Sequence, residues 1–155
     1  MELTRNLMVE SVGRLNPISP QCVDAGEPVA EAVAVMRRER IGCLLVVENG
    51  ELVGIFTERD LLKRVLARGE PLTTPLTAVM TARPVSVNVL DSVRTAVERM
   101  QAGGYRHVPV VDEANRPVGV LSAKRIIRYL AEHFPNTIYN QPPDPHKVPE
   151  TEYGA

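Results

Sequence analysis

The chain repeats itself at an offset of 64 residues, and this internal repeat restricts the fold more than any other feature of the sequence. The apolar pattern of segment 29–36 returns in segment 93–100 with the same valine, alanine and methionine positions. The β-branched run 44–47 returns as 108–111, after which one extra residue moves the offset to 65. A chain of 155 residues is therefore expected to hold two copies of one small unit.

Each copy has the pattern helix, strand, turn, strand, helix. Apolar residues at i, i+3, i+4 and i+7 predict an amphipathic helix over 29–36, and Asp91-Ser92 is predicted to cap its counterpart in the second copy. Asn49-Gly50 predicts a hairpin between strands 44–47 and 52–56. Second helices are predicted over 58–67 and 123–133, and their predicted buried stripes are Leu61, Leu62, Val65 and Leu66 in the first copy and Ile126, Ile127 and Leu130 in the second.

A single copy of about 50 residues buries too little surface to be stable alone. The sequence therefore predicts an α+β, sandwich-like fold in which two copies pack sheet to sheet with pseudo-twofold symmetry. The predicted divisions are a helical N-terminal extension (1–16), repeat one (17–69), a connector (70–82), repeat two (83–134) and a Pro-rich tail (135–155), which is either an extended arm or disordered.

Composition and charge exclude several classes of protein. A net charge of −1 and a pI of about 6.3 do not suggest a nucleic-acid partner. No apolar run approaches the roughly 20 residues that span a bilayer, and the first ten residues do not look like a secretory signal. Cys22 and Cys43 lack metal-ligand spacing, so we expect two reduced thiols, a cytoplasmic location and no metal.

Enzymatic activity is not expected. The three histidines are not arranged with a nucleophile or a carboxylate pair, and no Gly-Lys-Ser phosphate loop occurs. The chain is therefore expected to bind a ligand without transforming it, and to need no cofactor.

The order of these motifs resembles the CBS domain, named after cystathionine β-synthase, and the tandem resembles a CBS pair, or Bateman module. The segments that carry the resemblance are 54–60 (GIFTERD), 79–84 (VMTARP), 105–112 (YRHVPVVD) and 119–122 (GVLS). The resemblance covers about residues 17–134. It implies a non-catalytic regulatory module that binds adenosyl ligands between its repeats and that commonly forms flat, disc-like dimers.

Thr57 and Asp60 allow two interpretations. Thr57 stands where a helix begins and Asp60 three residues later, so the pair is compatible with ordinary helix capping. The alternative is an anion site at the helix N-terminus, in which the carboxylate of Asp60 also accepts hydrogen bonds from two ribose hydroxyls. The resemblance favours the second interpretation.

Arg106 and His107 are candidates for phosphate contacts, because an Arg side chain offers a planar fork of donors. Strand alternation predicts that one of the two faces the core. The sequence here is similar to the nucleotide-sensing γ subunit of the AMP-activated protein kinase, with the order of the two residues exchanged, and that similarity adds Lys124 as a phosphate contact and Val85 as an adenine contact. The resemblance thus implies one composite site, the Asp60 site, made of Ile55, Thr57, Arg59, Asp60, Val85, Arg106, His107 and Lys124.

The symmetry-related site is expected to be empty or to take something other than a nucleotide. Arg125 stands where the first copy has Asp60, and Gly42 and Cys43 stand where the second has Arg106 and His107. The expected ligand of the Asp60 site is AMP, ADP or ATP, and the regulated partner protein is unknown. S-adenosylmethionine is an alternative ligand, and an interaction scaffold without any nucleotide is an alternative function. A homodimer through the CBS repeats is expected in either case.

Overall fold

The structure is a computed structural model that describes residues 9–133. Residues 1–8 and the tail 134–155 lie outside this part, and with them the first half of the predicted N-terminal helix and the whole Pro-rich segment. Among residues 9–133, no helix combines the length and the apolar character needed to cross a bilayer. A cytoplasmic location stays a prediction.

Repeat one contains a four-stranded sheet, two α-helices, a π-helix and a 3-10 helix. Its elements are β1 (Cys22–Asp24), α1 (Val29–Glu39), β2 (Cys43–Glu48), β3 (Glu51–Thr57), α2 (Glu58–Asp60), a π-helix (Leu61–Leu66), a 3-10 helix (Leu76–Ala78) and β4 (Thr81–Ala82). Repeat two contains β5 (Val87–Asn88), α3 (Val93–Gly103), β6 (His107–Val111), β7 (Pro117–Ser122) and α4 (Ala123–His133).

The first three strands of the two sheets have the same topology. The orders are β1-β2-β3-β4 and β5-β6-β7; in each sheet the first pair of strands is parallel and the second is an antiparallel hairpin. Asn49 and Gly50 have φ values of 52° and 80°, as a type I′ turn requires, which confirms the predicted hairpin. Ser92 accepts a hydrogen bond from the amide of Thr95 (3.2 Å), which confirms the predicted cap of α3.

Each repeat completes its core with the segment that precedes the other repeat. Val12 and Leu15, in a short 3-10 helix (Val12–Leu15), are buried in the core of repeat two, whereas Leu76 and Val79 are buried in the core of repeat one. The anchoring hydrogen bonds correspond, since Gly13 N donates to Val89 O (3.0 Å) and Thr77 N donates to Ala25 O (3.3 Å). The segments assigned as extension and connector are therefore equivalent structural elements.

This exchange explains the glycine in the Gly-hydrophobic-hydrophobic-Thr/Ser motif. Ala82 of β4 pairs with Gly54, and the equivalent Ile18 pairs with Val120 beside Gly119. A Cβ atom on Gly54 would overlap the side chain of Met80, and one on Gly119 would lie 2.6 Å from the Cβ of Pro17. Glycine is required because the exchanged segment packs closely against the strand at this point.

The repeats pack on each other through the faces of their sheets. Leu45, Leu52 and Val111 form a buried cluster against which Ile55 and Val120 also pack. At one end of this contact, Leu52 N donates to Asn115 O (2.9 Å) and the Asn115 amide donates to Leu52 O (3.0 Å). Strands β3 and β7 therefore both contribute to the shared cluster, and each then ends at a strand-to-helix junction.

The predicted buried stripes of the second helices are partly wrong. Val65 and Ile126 are buried, but Leu62, Leu66 and Ile127 are 60%, 57% and 64% exposed. In repeat one the helix changes to π geometry directly after Asp60, which rotates the positions that follow away from an α-helical stripe. In repeat two, α4 has the predicted bounds, but its second apolar position faces outward.

Candidate functional site

Thr57 and Asp60 form a reciprocal capping box where β3 runs into α2. The hydroxyl of Thr57 accepts a hydrogen bond from Asp60 N (3.2 Å), and Thr57 N donates to the Oδ2 of Asp60 (3.0 Å). The Thr57 hydroxyl also donates to Oδ2 (3.1 Å). The capping interpretation is thus confirmed as geometry, and it fixes the position of the carboxylate.

The carboxylate of Asp60 is buried, with 5% of the residue exposed, and two residues that the sequence analysis missed contact it. The Thr81 hydroxyl, from β4, lies 3.2 Å from Oδ1 and 3.4 Å from Oδ2. The Nε of Arg64 lies 3.5 Å from Oδ1, and its Nη1 donates to the carbonyl of Met80 (2.6 Å). The i,i+4 spacing of Asp60 and Arg64 was a visible signal for the ion pair, whereas the contact of Thr81 arises only from the pairing of β3 with β4.

Cys43 lies beside this junction, because it pairs with Thr57 across β2 and β3. Burial, and then the negative charge of Asp60, raise the pKa of the Cys43 thiol to about 11. The thiol is therefore protonated at neutral pH. Both cysteines are free within the described part of the chain.

The corresponding junction of repeat two carries Arg106, His107 and Lys124, which together are called the cation cluster. His107 pairs with Ser122 at the end of β7, and the carbonyl of Arg106 accepts a hydrogen bond from Ala123 N (2.9 Å). Partial burial first, then the charges of Arg106 and Lys124, lower the pKa of His107. The charges of both Arg106 and Lys124 thus act on the His107 side chain.

The predicted alternation of Arg106 and His107 is wrong, because both are exposed. The strand β6 begins only at His107, so Arg106 precedes the pleated segment to which alternation applies. Both side chains are consequently accessible to a ligand.

The remaining predicted residues differ in exposure. Ile55 packs against the cluster between the sheets, Val85 is 39% exposed just before β5, and Arg59 is exposed on the first turn of α2. Val85 thus offers an apolar surface, and Arg59 an additional positive charge.

Direct contacts do not join the two halves of the predicted site. Within residues 9–133, no hydrogen bond or ion pair links Asp60 to the cation cluster, so a ligand would have to bridge them. A groove of about 360 Å³ lies elsewhere, between α3 and α4, and none of the eight predicted residues lines it. The charged groups that a polar ligand needs lie at the two junctions and not in this groove.

The symmetry-related position has the opposite charge. Ser122 accepts a hydrogen bond from Arg125 N (3.0 Å), as Thr57 does from Asp60 N, but a guanidinium replaces the carboxylate. Among the described residues, no group of three or more His, Cys, Asp or Glu side chains has the arrangement of a metal site.

Two α+β units of one topology, packed through their sheets with polar strand-to-helix junctions beside the contact, define the class of paired-repeat modules. The family model of the CBS domain matches residues 9–67 and 76–132. The chain belongs to the CBS-domain family and carries a pair of CBS domains.

Relatives of the chain include short and long proteins. The chain is 34% identical over 100 residues to the CBS domain-containing protein YhcV of Bacillus subtilis, covering 64% of this chain and 71% of that protein. It is 39% identical over 104 residues to the meiotically up-regulated gene 70 protein of Schizosaccharomyces pombe, covering 66% of this chain but only 14% of that protein.

Solved structures with the same fold contain adenosyl ligands. The CBS domain protein PAE2072 from Pyrobaculum aerophilum, complexed with AMP, has a TM-score of 0.68 at 26% identity and covers 79% of this chain and 99% of its own. The CBS domain pair of MJ0100, in complex with 5′-methylthioadenosine and S-adenosyl-L-methionine, has a TM-score of 0.68 at 25% identity, covering 80% of this chain and 98% of its own.

Proposed function

We propose that this CBS pair is a non-catalytic regulatory module that binds an adenine nucleotide, AMP, ADP or ATP, between its two repeats. The observation that carries the proposal is the opposition of charge at the two junctions. Repeat one presents a buried carboxylate, and repeat two presents the exposed cation cluster. A nucleotide has matching chemistry at its two ends, a sugar with two neighbouring hydroxyls and an anionic phosphate.

Asp60 is the proposed ribose contact. Its carboxylate is held in place by the capping box, so it does not have to be reoriented when a ligand arrives. Hydrogen bonds to an ionised, buried group are roughly twice as strong as neutral ones. In the proposed complex Ile55 and Val85 supply apolar contacts to the base.

The cation cluster is the proposed phosphate contact, with Arg59 as an additional charge from repeat one. Within residues 9–133 no ion pair neutralises Arg106 or Lys124. Such groups attract an anion and repel a sulfonium cation. The charge balance therefore favours a nucleotide over S-adenosylmethionine, even though a structural neighbour is complexed with the latter.

Thermal unfolding of the purified chain with AMP tests the proposal. Binding to the folded state alone should stabilise it by about 2.7 kcal/mol at a hundredfold excess over the dissociation constant. Asp60→Asn, which removes the charge at almost constant volume, should abolish this stabilisation. 2′-Deoxy-AMP, which lacks one of the two hydroxyls, should bind about tenfold or more weakly, because one hydrogen bond to a charged group is lost.

Arg125→Gln is the matched control, since Arg125 occupies the position of Asp60 in the other repeat. It should leave the effect of AMP unchanged. A wild-type protein that none of AMP, ADP and ATP stabilises contradicts the proposal, and stabilisation by S-adenosylmethionine alone would identify the other class of ligand.

A homodimer is a second proposal, and the outward-facing apolar residues support it. Leu62, Leu66 and Ile127 are exposed on the second helices of the two repeats, and the groove between α3 and α4 lies beside Ile127. Apolar side chains of this size are commonly covered by a partner when they lie together. A pure scaffold function would keep this dimer and show no response to any nucleotide.

A further inference from the structure

The carboxylate of Asp60 already accepts hydrogen bonds from three protein donors. These are the amide and hydroxyl of Thr57 and the hydroxyl of Thr81, and the Nε of Arg64 adds an ion-pair contact. A carboxylate has about four lone-pair positions. Two ribose hydroxyls therefore cannot both bind Asp60 unless one of these protein donors is displaced.

Thr81 is the donor that a sugar hydroxyl can most readily replace. The Thr57 contacts belong to the cap of α2, so their loss would open the helix end. Thr81 supplies one alcohol hydrogen shared between the two carboxylate oxygens, at 3.2 and 3.4 Å. Two ribose hydroxyls would give each oxygen its own donor of the same chemical type.

The same contact ties β4 to the site. Strand β4 pairs with β3 through only two residue pairs, Gly54 with Ala82 and Ile55 with Thr81. Arg64 adds a second tie, because it contacts Asp60 and also donates to the carbonyl of Met80. Residues 80–82 are thus held to Asp60 immediately before Val85 and the first strand of repeat two.

We propose that Asp60, Thr81 and Arg64 form a lock that the ligand opens: the ribose diol displaces the Thr81 hydroxyl from Asp60 and thereby loosens β4. The inference rests on the proposed function, and it names the segment through which occupancy of the site is communicated between the repeats. Thr81 is a positioning residue that sets affinity by competing for the carboxylate.

Calorimetric titration with AMP of Thr81→Val and Thr81→Ser tests the competition. Valine has the shape of threonine without the donor, so Thr81→Val should bind AMP about three- to tenfold more tightly, the equivalent of one competing hydrogen bond. Thr81→Ser keeps the hydroxyl and should stay within about twofold of the wild type. Weaker binding by Thr81→Val would show that Thr81 assists the ligand and would overturn the proposal.

Hydrogen exchange at the amide of Arg83, which donates to Val53 O (3.1 Å), reports on the β4 end of the lock. AMP should accelerate this exchange in the wild type, an experiment that needs no variant to fold, and unchanged or slower exchange overturns the proposal. Without AMP, exchange should be faster in Thr81→Val than in Thr81→Ser, and equal rates would show that no lock exists. If the wild type does not bind AMP although the two variants differ, the proposed function and the displacement step both fail and Thr81 is only a structural tie.

Discussion

The two strand-to-helix junctions have the same backbone and different chemistry. Thr57 and Ser122 each accept a hydrogen bond from an amide three residues later, at 3.2 and 3.0 Å. The residue that follows each junction also donates correspondingly, Glu58 N to Gly42 O and Ala123 N to Arg106 O. The third helical residue is nevertheless Asp60 in one repeat and Arg125 in the other.

This difference separates what the fold needs from what the ligand needs. Both repeats keep the hydroxyl that accepts from a backbone amide three residues later, and only repeat one adds a carboxylate that completes a capping box. The charge at the third position is free to vary, so one repeat has a carboxylate and the other positive charges. Duplication of the scaffold therefore does not imply duplication of the site.

The largest expected contrast concerns Gly54 and Gly119, against which the exchanged segments pack closely. In Gly119→Ala the new methyl group would lie 2.6 Å from the Cβ of Pro17 and 3.3 Å from the backbone oxygen of Ile18, neither of which can rotate away. In Gly54→Ala it would meet the flexible side chain of Met80. We expect losses in unfolding free energy of about 3 and 1 kcal/mol respectively, measured by urea denaturation. Equal losses would mean that the two contacts are equally tight.

The second contrast lies between the exposed apolar residues and their charged neighbours on the second helices. If the chain dimerises through these helices, Leu62→Glu and Ile127→Glu should each weaken the dimer by about 2 kcal/mol, roughly the value of one buried leucine. Lys63→Glu places the same charge one residue away and is the matched control. Sedimentation equilibrium measures the change, and a wild-type chain that is monomeric at high micromolar concentration would refute the dimer.

Much of the fold was readable in the sequence because its signals are local or periodic. Asn49-Gly50 predicted a turn, Ser92 a helix cap, and the offset of 64 residues the common topology. The exchange of segments was also encoded, since Val12 and Leu15 stand 64 residues before Leu76 and Val79. The residue types at these positions differ between the two segments, so the correspondence becomes clear only when the buried positions are known.

The site was only partly readable. Thr57 and Asp60 are local neighbours, so their junction was predictable. The contact of Thr81 with Asp60 depends on which strand lies beside β3, and no local pattern reports that. The π-helix after Asp60 likewise has no signature in residue spacing, and for this reason the exposure of Leu62 and Leu66 was missed.

The smallest expected effect distinguishes the cation cluster from the carboxylate by its response to pH. Partial burial and the charges of Arg106 and Lys124 lower the pKa of His107, so the unfolded chain binds a proton there more readily than the folded one. Without ligand, the contribution of His107 to stability is therefore present above its ordinary pKa of about 6.5 and lost as the pH falls through its lowered folded value.

A bound phosphate has the opposite influence, because a nearby anion favours protonated imidazole. AMP affinity should thus rise as the pH falls from about 8 to 6.5, by about threefold, since His107 is exposed and screened by solvent. His107→Asn should remove this increase while keeping the dependence that comes from protonation of AMP itself, and the difference between the two titration series isolates the histidine. If both proteins show the same pH dependence, the phosphate does not lie beside His107, and the cation cluster belongs to some other contact.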